Sequence, residues 1–418
     1  MTQPATPEKP TFSRYQIFII AVLAILQFTI ILDFMVLSPL GAILLKELDI
    51  QPQQFGWVVS AYAFSAGASG LLAAGFADRF DRKKLLLFFY VGFLVGTSMC
   101  AIAHNYHELL IARIVTGIFG GVIGSVTFAI VTDLFRLEMR GRVMGFVQMA
   151  FAASQVLGLP IGLWLANHYG WHSPFVMIVS FSIVVGIIIL IYLKPVTGHL
   201  KIKSERNPLQ HLATVVSRPD YLQGFLATVL LATGGFMMMP FATAFSTNNA
   251  GISINDLPLM YTITGGCAIF FGPLIGKISD TVGKFKVFVA GSIVSMITVV
   301  YYSNLSISPF WLVTTVSVIM FAAISSRIIS ASALLTAVPS QQDRGAFMSV
   351  NSSVQQISGG IASAIAGLIV IQQPNGLLMH YDTVGYVVAG TGVVAIFLMH
   401  LLDRQIHRKL HKKIDVPL

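Results

Sequence analysis

Twelve stretches of this chain are each long and apolar enough to cross a lipid bilayer as a helix, and that constrains the fold more than any other feature. Crossing about 30 Å of hydrocarbon takes roughly 20 apolar residues. Such runs fall at about 16–40, 54–77, 85–104, 108–133, 142–167, 174–194, 221–247, 257–279, 286–305, 308–337, 345–372 and 381–402. Only 10% of the 418 residues are charged and 55% are hydrophobic, whereas soluble domains carry about 25% charged residues. A water-soluble enzyme is excluded on that ground. The ten-residue alternation of a membrane barrel is absent, so the expected class is an all-α membrane protein. Cys100 and Cys267 lie within apolar runs and read as inert, membrane-buried thiols.

The basic residues give the orientation. With the N-terminus inside, 23 of the 26 Lys and Arg fall in segments on the inner side, and the outward loops keep Lys46 alone. Arg113 and Arg327 lie inside spans. That asymmetry predicts cytoplasmic termini in a bacterial inner membrane. It also accounts for the net charge of +9 through the anionic inner leaflet, with no nucleic-acid partner. The first 15 residues lack the apolar core of a cleaved signal peptide.

The chain divides into halves that echo each other. Residues 1–15 form an inner tail, 16–194 a first set of six spans, 195–220 a polar linker, 221–402 a second set and 403–418 a basic tail. Ala74 and Asp78 with the basic run after them recur as Gly276 and Asp280 with Lys284 and Lys286, an Asp-to-Asp offset of 202. Arg140-Gly141 recurs as Arg344-Gly345, an offset of 204. Parallel repeats of this kind build a central site between two bundles.

Charges inside the spans are few. Asp33 is the only one of 17 acidic residues well within a run, where an ionised Asp costs about 2.5–3.5 kcal/mol. Such a carboxylate is retained when it titrates, pairs or meets water; the alternative is an Asp near the outer headgroups. At 1.5 Å per residue, Asp33 lies roughly 10 Å and Arg113 roughly 8 Å below the outer surface. Equal depth makes them natural partners, the alternative for Arg113 being an Arg that snorkels outward. Arg327 has hydroxyl neighbours and no intramembrane acid in its half, so it either faces cargo or bonds to Ser and backbone. Gln27, Gln148, Gln155, Asn351 and Gln355 form further polar faces, suited equally to cargo contact or helix association. Met238 lies in Gly234-Gly235-Phe236-Met237-Met238-Met239-Pro240, which reads as a hinge with an adaptable apolar wall.

Taken together, these residues resemble the major facilitator superfamily, and within it the twelve-span drug:proton antiporters and arabinose-efflux-like permeases. The loop signature after span two, Gly-x-Leu-Ala-Asp-Arg-x-Gly-Arg-Arg/Lys, is matched at Asp78, Arg79, Arg82 and Lys83, with Ala74 and Asp81 replacing its glycines. Arg113-Ile-Val-Thr-Gly117-Ile-Phe-Gly120-Gly121 matches the span-four signature. Gly158-Leu-Pro160-Ile-Gly162 is related to the span-five signature Gly-Pro-x-x-Gly-Gly, with the proline displaced. The resemblance implies two pseudo-symmetric six-helix bundles around a cavity, a monomer, and an acid on span one that exchanges protons. It further implies an inner-side gate, here Asp78, Arg79, Arg82, Lys83, Asp133, Arg140, Arg142 and Asp280, and a helix bend at Gly158, Pro160 and Gly162.

Catalytic signatures such as H-E-x-x-H, G-x-S-x-G and the phosphate-binding G-x-x-x-x-G-K-[ST] do not occur. No enzyme activity, cofactor or metal site is expected. The expected function is proton-coupled efflux of small lipophilic or amphipathic compounds by alternating access. The alternatives are symport or uniport of an organic anion or sugar, and a non-transporting receptor on a transporter fold.

Overall fold

The computed structural model describes residues 12–201, 213–340 and 343–414. With no water in hydrocarbon to satisfy backbone N–H and C=O groups, an apolar run must bond within itself, and the chain accordingly folds into twelve long helices. These are α1 (Arg14–Val36), α2 (Pro52–Phe76), α3 (Arg82–Ile102), α4 (Tyr106–Leu134), α5 (Leu137–Ala153, continued by Leu159–Tyr169) and α6 (Ser173–Tyr192). The second set is α7 (Pro219–Met238, continued by Ala242–Asn248), α8 (Leu257–Val282), α9 (Lys284–Ser303), α10 (Phe310–Leu335), α11 (Arg344–Ile369) and α12 (Tyr381–Ile414). Eleven of them are long and apolar enough to cross a membrane. The twelfth, α11, spans 26 residues, but Asn351, Ser352, Gln355 and Gln356 make one face polar. Helix α12 runs on through residues 403–414, so the basic segment after the last span begins as helix and not as a separate tail.

Local sequence sets the helix ends. Ser13 and Gln16 form a capping box on α1, and Asn105 accepts from the Glu108 N–H at the start of α4; both satisfy orphan N-terminal donors. Asp81, which stands where the resembled loop signature has glycine, caps α3 by accepting from Lys83 N at 2.9 Å. The same Oδ1 accepts from Val196 N at 3.0 Å, tying the start of the linker to this loop.

The packing pattern repeats. In the first half α3 packs on α4, α2 on α4, α1 on α5 and α6, and α3 on α6. In the second, α9 packs on α10, α8 on α10, α7 on α11 and α12, and α9 on α12. Each contact recurs six helices later, as a duplicated bundle requires. The halves meet through α2 with α11 and α5 with α8, pairs that exchange under the same shift.

An even number of spans brings both chain ends to one side, here the near end. At the far end a single apolar cluster joins both halves, running from Leu32, Val36 and Phe55 to Met237, Phe241, Ala366 and Tyr381. Toward the near end the core splits. One cluster, with Leu23, Leu86 and Val143, belongs to the first half, and another, with Phe225, Phe288 and Phe347, is built from the second. The seam between α5 and α8 is tight at Gly265, where an added Cβ would lie 3.0 Å from the Gln155 carbonyl oxygen. Nearer the chain ends, Cβ atoms added at Gly145 on α5 or at Gly272 and Gly276 on α8 would meet nothing within 4 Å. The apolar core is therefore shared between the halves at the far end and divided between them toward the near end, while α2 stays on α11 as far as Gly70 and Ser353.

Glycine permits close approach at α2 and α4. A Cβ on Gly121 would lie 2.5 Å from Ala66 Cα, whereas one on Gly124 would meet nothing within 4 Å. Gly121→Ala is expected to destabilise the protein by about 1–3 kcal/mol, since backbone must move to admit it. Gly124→Ala should be neutral or slightly stabilising, by up to about 1 kcal/mol. Thermal melting of the purified protein in detergent checks the difference.

Candidate functional site

Four helices of the first half converge on one ion pair. Asp33, near the far end of α1, accepts from Arg113 Nη1 of α4 at 2.8 Å. Its other carboxylate oxygen accepts from Thr97 Oγ1 of α3 at 3.1 Å. The Arg113 guanidinium lies over the Tyr62 ring of α2, 4.5 Å from its centroid, a cation–π contact strengthened by desolvation. The side chains of Asp33 and Arg113 are 0% and 1% exposed. Arg113 Nε is buried with no hydrogen-bond partner, so the guanidinium is only part-satisfied. The depth match from helix rise thus brings Asp33 and Arg113 together, while Tyr62 and Thr97, uncharged, gave no signal in a search for ionisable groups.

The pair connects to the seam between the halves. Phe34, next to Asp33, lies 5.2 Å from the Tyr62 ring and 5.7 Å from that of Phe236 on α7, centroid to centroid. One turn on, Ser38 donates to the Met239 carbonyl of the second half. Behind α1, Gly158 lets α5 approach Leu32, and Gly162 lets it approach Val36. Here α5 passes through a π-helical turn at Ser154–Gly158. Pro160, which has no N–H to donate, follows this turn in the first residues of Leu159–Tyr169. The far end of α1 is thus pinned on one side by the ion pair and on the other by α5 and α7.

Other expected site residues are scattered. Gln155 lies in the π-helical turn and is buried. Gln27 has a buried carbonyl oxygen without a partner. Asn351 is buried and accepts from Thr228 Oγ1 at 2.5 Å, which holds α11 to α7, whereas Gln355 is exposed. Met238 belongs to the far-end core. The side chain of Gln148 lies outside the described residues.

At the near end the basic residues work within the first half. Arg82 Nε donates to Asp133 Oδ2 at 3.0 Å and its Nη1 to the Ala77 carbonyl at 2.9 Å. Arg140 donates to the Phe135 and Thr132 carbonyls at the end of α4. Lys83 donates to the Leu190 carbonyl of α6, and Arg142 lies over the Phe12 ring. Arg79 and Asp280 are exposed, and the side chain of Asp78 lies outside the described residues. The second half has a counterpart that the motif search missed: Asp343 Oδ2 accepts from Arg218 at 2.6 Å, Tyr221 at 2.7 Å and Ser340 at 2.9 Å. Nothing in the resembled signatures marks Asp343.

Two six-helix bundles of one design, joined over a buried charge pair at the far end, define a membrane transporter fold. The family model of the Major Facilitator Superfamily matches residues 23–242 and again residues 224–416. The chain belongs to that superfamily. It is 28% identical over 268 residues, 63% of this chain and 67% of the relative, to the uncharacterized MFS-type transporter YceJ of Bacillus subtilis (strain 168). Among solved structures it resembles a bacterial homolog of the human lysosomal transporter Spinster in an inward-facing, unoccupied conformation. That match has a TM-score of 0.76 at 15% identity, over 95% of this chain and 99% of the other. It also resembles a D-xylose–proton symporter, with a TM-score of 0.75 at 17% identity, over 92% and 97% of the two chains.

A buried pair that loses one partner leaves an uncompensated charge, at a cost of about 3–5 kcal/mol. A carboxylate can shed its charge by taking a proton, but a guanidinium cannot. Asp33→Asn is therefore expected to lower the melting temperature more than Arg113→Gln does. The double variant Asp33→Asn with Arg113→Gln should recover part of that loss, which a double-mutant cycle of melting curves measures.

Proposed function

We propose that this protein is a proton-coupled exporter of small lipophilic or amphipathic molecules working by alternating access, with Asp33 as the proton-loading group and Arg113 as its partner. The observation that carries this reading is the sealed Asp33–Arg113 pair, 2.8 Å apart, one residue from the aromatic contact that closes the far end. A proton on Asp33 cancels the charge that holds Arg113. The guanidinium then relaxes against Tyr62, and Phe34 loses the rigid support that keeps it on Phe236. Loosening this contact favours opening at the far end, while release of the proton restores the closed arrangement. Cargo bound between the bundles biases the same equilibrium in the opposite sense. Coupling requires only that proton and cargo each bind the two states unequally.

The basic residues place the near end at the cytoplasm, so in this reading cargo loads from that side. The near-end ion pairs lie within each half, and a gate between the bundles would draw instead on the exposed Arg79 and Asp280 when that side closes. A second reading, movement of an organic anion by symport or uniport, is favoured by one observation: Arg327 is buried without an acidic partner among the described residues.

Proteoliposomes with an imposed pH gradient and an internal pH dye, challenged with cationic, neutral and anionic amphiphiles, test the proposal. The wild-type protein should move protons when a transported solute is added. Asp33→Asn and the folded double variant should move solute without protons, or neither. Solute flux with no proton movement in the wild type would overturn the coupling, and normal coupling in Asp33→Asn would remove Asp33 from it.

A further inference from the structure

The two bundles repeat one helix packing, but each carries its intramembrane arginine at a different level: Arg113 near the start of α4 and Arg327 in the latter part of α10. In the first, an arginine of α4 reaches α1 and meets Asp33. In the second, Arg327 of α10 reaches α7 and meets Gly234. A Cβ built on Gly234 would lie 3.6 Å from Arg327 Nη1 and 3.8 Å from Nη2. Arg327 is 5% exposed. Its Nη1 donates to Ser295 Oγ of α9 at 3.2 Å, while Nε and Nη2 are buried with no partner. Ser292, three residues earlier on α9 and so on the same face, is fully buried and its Oγ also lacks a partner.

A guanidinium presents five N–H donors and cannot give up its charge. Deep in a membrane domain it needs an opposite charge or an aqueous path. Here the guanidinium and the Ser295 hydroxyl meet beside Gly234, the unpartnered Ser292 hydroxyl lies one turn away on α9, and no carboxylate is paired to Arg327 among the described residues. We infer that Arg327, Ser292 and Ser295, opposite Gly234, form a binding site for a compact monovalent anionic group. That group is either a carboxylate carried by the cargo or a free inorganic anion such as chloride. The fork of Arg327 suits two-point contact with a carboxylate, and glycine at 234 sets no side chain between the fork and α7.

The site lies inside the second bundle, among α7, α9, α10 and α12. Gly234 is two residues from Phe236, which packs on Phe34 beside Asp33. An anion held at Gly234 stiffens the stretch of α7 against which the proton-loading end of α1 closes. An anion-bearing amphiphile would thus act on the same contact as the proton, from the other half. This assignment rests on the transport reading only for the origin of the anion; binding itself is measured without transport.

The test is thermal melting of the full-length protein in detergent, read by intrinsic tryptophan fluorescence. Sodium acetate, benzoate and chloride are titrated at constant ionic strength with sulfate as the balancing anion. A ligand that binds only the folded state raises the melting temperature by mass action, so the wild type should show a saturable rise. Arg327→Gln should lose that rise or shift its half-saturation by about tenfold or more. Gly234→Asp keeps Arg327 and supplies a tethered carboxylate where the glycine gap lies; it should melt higher than wild type without added anion and ignore titration. A rise with carboxylates alone assigns the site to cargo, and an equal rise with chloride assigns it to a free anion. No rise in the wild type, or the same rise in both variants, would overturn the proposal. Proton movement in liposomes is a separate measurement, so loss of coupling and loss of anion binding are told apart.

Discussion

Charges of opposite sign sealed between α1 and α4 govern much of the far half of this molecule. Neither Asp33 nor Arg113 is tolerable alone at that depth, because desolvation of a lone ion costs several kcal/mol. The pair fixes the distance between α1 and α4, and Thr97 and Tyr62 fix it against α3 and α2. Four helices of one bundle are thereby locked around a single contact that a proton can weaken. Through Phe34 the contact reaches Phe236 of the other bundle, so local chemistry and the closure between bundles share a residue boundary. Coupling over larger distances needs an element with two discrete arrangements, and in the proposed mechanism that role falls to the far-end seam.

The duplication shows what each half contributes. Helix contacts repeat under a six-helix shift, yet the intramembrane charges do not. The first bundle carries a neutralised pair, whereas the second carries an arginine facing glycine. At the near end the balance is more even, with Arg82 and Asp133 in one half and Arg218 and Asp343 in the other. A fold copied in its packing has placed its charge pairs independently in each half: Arg82 with Asp133 joins α3 to α4, whereas Arg218 with Asp343 joins the segments before α7 and α11.

Much of this was legible in the chain. Apolar run length marked the spans, because hydrocarbon admits only backbones that satisfy themselves. Rise per residue matched the depths of Asp33 and Arg113. The span-five glycines and proline pointed to an irregular α5, and the π-helical turn lies there. Other features were hidden. Tyr62 and Thr97 carry no charge and are unremarkable in their runs, and only the crossing of α2 and α3 with α1 gives them a role. Met238 reads as an adaptable wall but is part of the far-end core. Asn351 and Gln355 share a face by spacing, yet one is bonded to Thr228 and the other exposed, because helix packing and not periodicity decides which part of a face is covered.

The sequence by itself determined the number of spans, their pairing into halves, the sidedness expected from basic residues and the short inventory of buried charges. These are local or additive properties: hydropathy sums along a run, and charge sums over a loop. The tertiary structure alone decided which charges meet, that Arg113 is paired while Arg327 lies beside a glycine, and that the halves share one core at the far end and keep separate cores toward the near end. Those outcomes depend on distances between segments some 80 to 200 residues apart in sequence, and such distances are set by how helices cross and pack, which no single run of residues encodes.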